Sequence, residues 1–182
     1  MIPSGNLCKV RSFVMLYVIS ALLAVGLIAL DQWVKWWTVV NIGGAAFDGV
    51  AFSGVWLSQP EPFIPKILGL NFATNTGGGW SILAEHTWIL TAVSVVISLV
   101  ILYVLIRRKI RRGFGVIALT VLWAGAVGNL IDRIRLGYVV DMFEVLFMDY
   151  PIFNVADICV VCGGIAFCVY YAFFYEKWEK KR

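Results

Sequence analysis

Four uncharged apolar stretches divide the chain, at residues 13–30, 87–106, 114–131 and 158–175. Each approaches the ~20 residues that cross a hydrocarbon core of about 30 Å at 1.5 Å per residue. A bilayer offers no water to unpaired backbone groups, so such stretches are read as helices. With their polar ends included, the pattern predicts helices over about 13–37, 87–106, 114–134 and 155–175. The two segments that flank the middle helices, 38–86 and 135–153, break this pattern. In the first, Pro60, Pro62 and Pro65 punctuate runs at 49–57 and 67–73 that mix β-branched, aromatic and Gly residues, as short strands separated by turns do. Phe52, Trp56, Phe63 and Phe72 suit the headgroup level. In the second, residues 142–147 fit a short interfacial helix or a hydrophobic turn.

Composition sharpens the picture. Of 182 residues, 61% are hydrophobic and 14% charged, against about 25% charged in a soluble domain. The expected class is an all-α membrane protein: one domain over residues 1–182, with four transmembrane helices and a small β-rich cradle on the extracytoplasmic surface. Lys9 and Arg11 before the first apolar run have the look of a signal peptide. That run is long for one, and Asp31-Gln32-Trp33-Val34-Lys35 follows it in place of a small-residue cleavage site. An uncleaved helix is expected.

The basic residues orient the helices. Lys9 and Arg11 precede the first, Arg107, Arg108, Lys109, Arg111 and Arg112 join the second to the third, and Lys177, Lys180, Lys181 and Arg182 follow the fourth. These eleven of fifteen Lys and Arg residues share one side, which the positive-inside rule makes cytoplasmic. Both termini are then expected in the cytoplasm and residues 38–86 and 135–153 outside. The net charge of +4 reflects this anchoring, and no nucleic-acid partner is expected. Cys159 and Cys162 have the spacing of a redox pair, but within an apolar helix they read as packing residues. Neither a disulfide nor a metal is inferred.

Polar side chains at membrane depth are costly and mark partners or function. Here they gather toward the outer side. Asp31 and Lys35 are four apart and share a helix face, a spacing that by itself suits a local ion pair. Asn129, Asp132 and Arg133 close the third helix on about one side, as an ordinary charged helix end or as part of a site. Asp141 follows in the loop. Asn154 can cap the fourth helix, with Asp157 favoured at its positive end.

His86 is the only histidine, so no Ser/His or Cys/His arrangement is available. It precedes the second helix and suits an interfacial place. A metal site would rest on carboxylates alone, with no ligand spacing to support it. A pair of aspartates remains. Two close carboxylates do not readily both ionise, so one keeps a proton while the other is charged. The charged one can take a proton from an attacking water, and the protonated one can serve the carbonyl and the leaving amine.

Four sequence blocks then carry a resemblance: Asp31-Gln-Trp-Val-Lys35, Asn75-Thr-Gly77, Gly128-Asn129-Leu-Ile-Asp132-Arg133-Ile-Arg-Leu-Gly137-Tyr-Val-Val-Asp141, and Phe153-Asn154-Val-Ala156-Asp157. In kind and order they resemble the blocks of bacterial lipoprotein signal peptidases (signal peptidase II), across essentially the whole chain. The resemblance implies an enzyme of the inner membrane that cleaves prolipoproteins just before a diacylglyceryl-modified cysteine. It also implies an aspartyl mechanism without a cofactor, and sensitivity to globomycin. By motif position Asp141 and Asp157 are the catalytic pair. Asn129, Asp132, Arg133, Asn154 and Ala156 support it, and Asp31, Lys35, Asn75 and Gly77 shape the site or meet substrate. Membrane lipids are the other partners, and one chain supplies every residue named, so a monomer suffices. Gly78-Gly79-Trp80-Ser81 departs from the family's small residues followed by Phe and Ser, which bears on pocket shape. A transporter or channel subunit, with polar groups spread through the membrane depth, and a non-catalytic scaffold of the same architecture are the alternatives.

Overall fold

The computed structural model describes residues 4–43, 60–77 and 87–178, with side chains from residue 13 to 177 of these. Its elements are α1 (Ser4–Asn41), β1 (Glu61–Ile64), β2 (Leu68–Asn75), α2 (Thr87–Ile106), α3 (Gly113–Leu136), β3 (Val139–Val145), α4 (Val155–Phe173) and a final turn, α5 (Tyr175–Trp178). Among the described residues, four helices are long and apolar enough to cross a membrane. Their outward faces are apolar too: Leu22, Val25, Leu99, Ile165 and Phe173 are exposed. Such faces suit lipid and not water.

The helix ranges follow the apolar runs, except that α1 begins at Ser4, nine residues before its expected start, and that some other ends shift by one to four residues. The first helix continues to Asn41, four residues past its expected end, because 36–40 is apolar but for Thr38, whose hydroxyl bonds Val34 O within the helix, and no breaker intervenes. The fourth stops at Phe173, where the chain turns before α5.

α3 is the hub, packing on α1, α2 and α4. Its contact with α4 depends on small residues. A Cβ on Gly163 would lie 2.5 Å from the Leu122 backbone nitrogen, and one on Gly125 would run into the Ala156 carbonyl. At one end Ile101, Ile110, Val116, Leu119 and Tyr170 form a buried cluster that Leu16 and Tyr17 of α1 complete. The α2–α3 turn is clasped there: Arg108 lies 4.7 Å over the Phe13 ring, and Tyr17 donates its hydroxyl to Ile110 O at 3.2 Å.

At the other end lies a three-stranded antiparallel sheet, ordered β1-β2-β3. The expected strand at 67–73 is β2. Residues 49–57, Phe52, Trp56, Trp80 and His86 lie outside the described residues. Pro62 is tolerated in β1 because β1 is an edge strand with a register shift there. Residues 142–147 form neither a helix nor a turn. Most of this segment belongs to β3, which pairs Asp141 with Ala73 and Val139 with Asn75. Its apolar residues do not alternate with polar ones because both faces are covered, and Val139 through Met142 are all buried. Phe72, expected at the headgroup level, is 2% exposed and packs with Val140 and Met142 against Val34, Val39 and Ile42. Phe63 is exposed.

Candidate active site

Three chain reversals bring the polar residues together. α3 ends at Gly137, whose φ of +80° suits a residue without a Cβ and whose N–H bonds Arg133 O. The chain enters β3 two residues later. Beyond β3 it folds back so that Phe143 and Phe153 exchange backbone bonds of 2.8 and 3.1 Å. That places Asn154 beside Asp141. Finally Asn154 caps α4: its Oδ1 accepts the Asp157 N–H at 2.9 Å, while Asp157 Oδ2 accepts the Asn154 N–H at 3.1 Å. This reciprocal pair is a capping box with an Asp in the Glu position.

The two carboxylates reached this way share a set of amide donors. Asn154 Nδ2 lies 2.6 Å from Asp141 Oδ1, and Asn75 Nδ2 lies 3.0 Å from Asp141 Oδ2. Asn129 Nδ2 lies 2.8 Å from Asp157 Oδ1. Asn75 is oriented by the Asn-x-Gly turn, since its Oδ1 accepts the Gly77 N–H at 2.9 Å and leaves the NH₂ to face β3. Gly77 O in turn accepts from Arg133 at 3.2 Å. The charge of Arg133 acts on Asp157, Asp141 and Asp132.

The environments of the pair differ. Asp141 is 2% exposed, whereas Asp157 is only partly buried and sits at the start of a helix. Burial first, and then the neighbouring Asp157 charge, push the Asp141 carboxyl up to about 7, against the opposing effect of the Asn75 and Asn154 hydrogen bonds. The Asp141 carboxyl can therefore hold a proton up to near-neutral pH.

Behind the pair lies a buried ionic cluster. Lys35 Nζ is 2.9 Å from Asp31 Oδ2, 2.9 Å from Asp132 Oδ2 and 3.0 Å from Asn129 Oδ1. Each acid also holds backbone: Asp31 Oδ1 accepts the Ala156 N–H at 2.8 Å, and Asp132 Oδ2 accepts the Val140 N–H at 3.2 Å. The cluster thus ties α1 to the first turn of α4 and α3 to the residue before Asp141. A buried ion pair is a weak source of net stability, but these bonds fix positions. Gly128 leaves room for them, because a Cβ there would meet Asp31 Oδ2 at 2.7 Å and the Ala156 Cβ at 3.1 Å.

The comparisons with known proteins agree with this architecture. The family model for signal peptidase (SPase) II matches residues 23–174. The chain belongs to the signal peptidase II family. It is 41% identical to the lipoprotein signal peptidase of Enterococcus faecalis, over 88% of this chain and 89% of that one. It is 39% identical to that of Latilactobacillus sakei, over 87% and 93%. A bacterial membrane enzyme solved by the in meso method at 2.3 Å superposes with a TM-score of 0.67 and 27% identity, over 90% of this chain and 92% of its own. Four spanning helices, a small sheet and these neighbours make the chain a multi-pass membrane protein.

The residues that the motifs assign to the site lie in this one constellation: Asp31, Lys35, Asn75, Gly77, Asn129, Asp132, Arg133, Asp141, Asn154, Ala156 and Asp157. Asp31 and Lys35 do form the local pair that their spacing suggests, but Lys35 also makes two contacts to α3, with Asp132 and Asn129. Gln32 was given no role. It donates to Asp132 Oδ1 at 2.8 Å and to Gly128 O at 3.2 Å, so it belongs to the cluster. The signal was present, since a polar amide between Asp31 and the apolar Trp33 and Val34 needs partners at this depth.

Proposed function

We infer that this chain is an aspartyl endopeptidase that removes signal peptides from diacylglyceryl-modified prolipoproteins, cutting just before the lipidated cysteine, with Asp141 and Asp157 as its catalytic pair. Family membership supports the prolipoprotein substrate. One observation carries the assignment of the pair: two carboxylates from different elements converge on Asn154, one buried and pushed up to about 7, the other more solvated and held by N–H donors.

In this reading Asp157 accepts a proton from a water molecule as the water oxygen bonds the scissile carbonyl carbon. Asp141 donates its proton's hydrogen bond to the carbonyl oxygen, which carries the developing negative charge. Collapse of the tetrahedral species breaks the C–N bond, and a proton from the pair goes to the leaving amine of the cysteine. No step requires a metal or a cofactor. The acyl chains of the substrate stay in the bilayer while the peptide bond reaches the polar end of the bundle. The basic residues at the opposite end favour placing that end, and both termini, in the cytoplasm, so the site faces outward. Globomycin binding and action as a monomer belong to the same reading.

The test is cleavage of a diacylglyceryl-modified prolipoprotein by the purified chain in detergent, beside Asp141→Asn and Asp157→Asn. Cleavage by the parent and loss of at least about a thousandfold in each folded variant is the expected result. Variants that cut at the parental rate would overturn the aspartyl pair, and a silent parent would overturn the substrate.

A further inference from the structure

Lys35 is 3% exposed and its ammonium group is bonded to Asp31, Asp132 and Asn129. An ammonium has three donors and no acceptor, so all three are in use. Neutralising carboxylates explains the first two bonds. The third has a different consequence. Because Nζ only donates, the atom of Asn129 turned toward it must be Oδ1, and the NH₂ then faces the other way. There it donates to Asp157 Oδ1 at 2.8 Å. A reversed amide would set NH₂ against the ammonium and oxygen against the carboxylate, two repulsive contacts in a buried place.

The other two amides that touch the carboxylate pair are oriented by backbone: Asn75 by the Gly77 N–H and Asn154 by the Asp157 N–H. Of these three amides, Asn129 alone has its oxygen held by a charged side chain among the described residues. Asn154 Nδ2 also reaches Asn129 Oδ1, at 3.0 Å, but it has two protons for three acceptors, Val140 O and Asp141 Oδ1 being the others. We propose that Lys35 is a positioning residue that fixes the orientation of the Asn129 amide and thereby keeps Asp157 in the form that accepts a proton. This rests on the assignment of Asp141 and Asp157 made above.

Among the described residues, the charges around Asp157 are few enough to follow. Asp141 faces it from β3 and Arg133 from α3, with Asn154 on its own helix end. Lys35 stands behind Asn129, with Asp31 of α1 and Asp132 of α3 as its counter-ions. Without the ammonium, Asp31 and Asp132 lose their shared cation, and the Asn129 NH₂ is drawn toward them. Its oxygen then faces Asp157, an arrangement that a protonated carboxyl satisfies and a carboxylate does not.

The experiment measures kcat and KM against pH for the full chain in detergent, on a diacylglyceryl-modified prolipoprotein, with folding checked by thermal unfolding. Lys35→Met is expected to lower kcat about a hundredfold with KM within a few fold. The acid edge of its profile should move up by about one pH unit or more. Lys35→Arg, again a donor only, should leave that edge at the parental pH. Asn129→Asp keeps an acceptor for Lys35 but has no N–H for Asp157, and should move the edge in the same direction as Lys35→Met. If Lys35→Met does not fold, Asn129→Asp decides. A folded variant of either kind whose profile is scaled in height but unshifted overturns the role of Lys35 alone. A parent that does not cleave, or an active Asp157→Asn, overturns the peptidase reading and this role with it.

Discussion

Asn154 Nδ2 lies 2.6 Å from Asp141 Oδ1 while the oxygen of the same amide caps α4. One side chain therefore ends a helix and serves a carboxylate, and the two tasks can be separated. Serine is an equivalent N-cap but is too short to reach Asp141. Asn154→Ser and Asn154→Ala should lose activity to a similar degree, about a hundredfold in kcat. The alanine variant should be the less stable by about 1 kcal/mol, the usual value of a cap. Steady-state cleavage and thermal unfolding in detergent measure the two effects. Equal stability would mean that the cap contributes nothing here.

Activity should fall as pH rises through about 7, because Asp141, held up to about 7, must keep its proton to serve the carbonyl. The Asn75 hydrogen bond opposes that upward shift. Asn75→Ala should therefore move the alkaline edge to higher pH while lowering the maximum rate, and a downward move would contradict the assigned proton. Stability follows the same group. The folded chain holds this proton to about pH 7, the unfolded chain only to near the ordinary 3.8. Between those values the folded state binds more protons, so this contribution is present at low pH and is lost as pH rises through about 7. Unfolding midpoints of the parent should fall across that window more than those of Asp141→Asn.

The spanning helices were legible because length and uninterrupted apolarity suffice to define them. So was the Asn154 cap, which depends only on residues three apart. Local spacing also grouped Asn129 with Asp132 and Arg133. What stayed hidden was long-range. β3 pairs with β2 across the whole of α2 and α3, and its two covered faces erase the alternation by which strands are recognised. For the same reason the position of Phe72 was misjudged: its burial depends on Val140 and Met142, two residues of that unrecognised strand. Gln32 lacked an assigned role because its partners, Asp132 and Gly128, lie about a hundred residues away.

The closeness of α1, α3 and α4 at Gly128 predicts a steric result. Gly128→Ala would place a methyl 2.7 Å from Asp31 Oδ2 and 3.1 Å from the Ala156 Cβ. The carboxylate cannot yield without breaking its bonds to Lys35 and the Ala156 N–H. Destabilisation of about 1–3 kcal/mol, typical of overpacking, is expected together with at least a tenfold loss of kcat. Ala156→Val, which crowds the same contact from the α4 side, should behave alike. Gly137→Ala is the contrast: nothing lies within 4 Å of its added Cβ, and its cost, about 1 kcal/mol, comes from the left-handed backbone alone. A Gly128→Ala variant as stable and active as the parent would show that α1 can shift away from α3.

Gln32 offers the sharpest test of the ionic cluster, because its removal leaves every charge in place. Gln32→Leu deprives Asp132 Oδ1 and Gly128 O of a donor, at 2.8 and 3.2 Å in the parent. A buried acceptor left without its partner costs about 1–3 kcal/mol. Since Asp132 also holds the Val140 N–H beside Asp141, kcat should fall by about tenfold as well. Gln32→Glu keeps the shape but sets a carboxylate against both Asp31 and Asp132, with Lys35 already shared between them. The exposed Arg135, 3.5 Å from Oε1, offsets little of that repulsion. The isosteric Gln32→Glu should therefore be less stable than the shape-changing Gln32→Leu, and it should recover part of the difference as pH falls and its own carboxyl protonates. Thermal midpoints of the two variants at two pH values decide the matter: the reverse order at neutral pH would mean that the cluster tolerates a further charge, and the positioning network would lose its electrostatic basis.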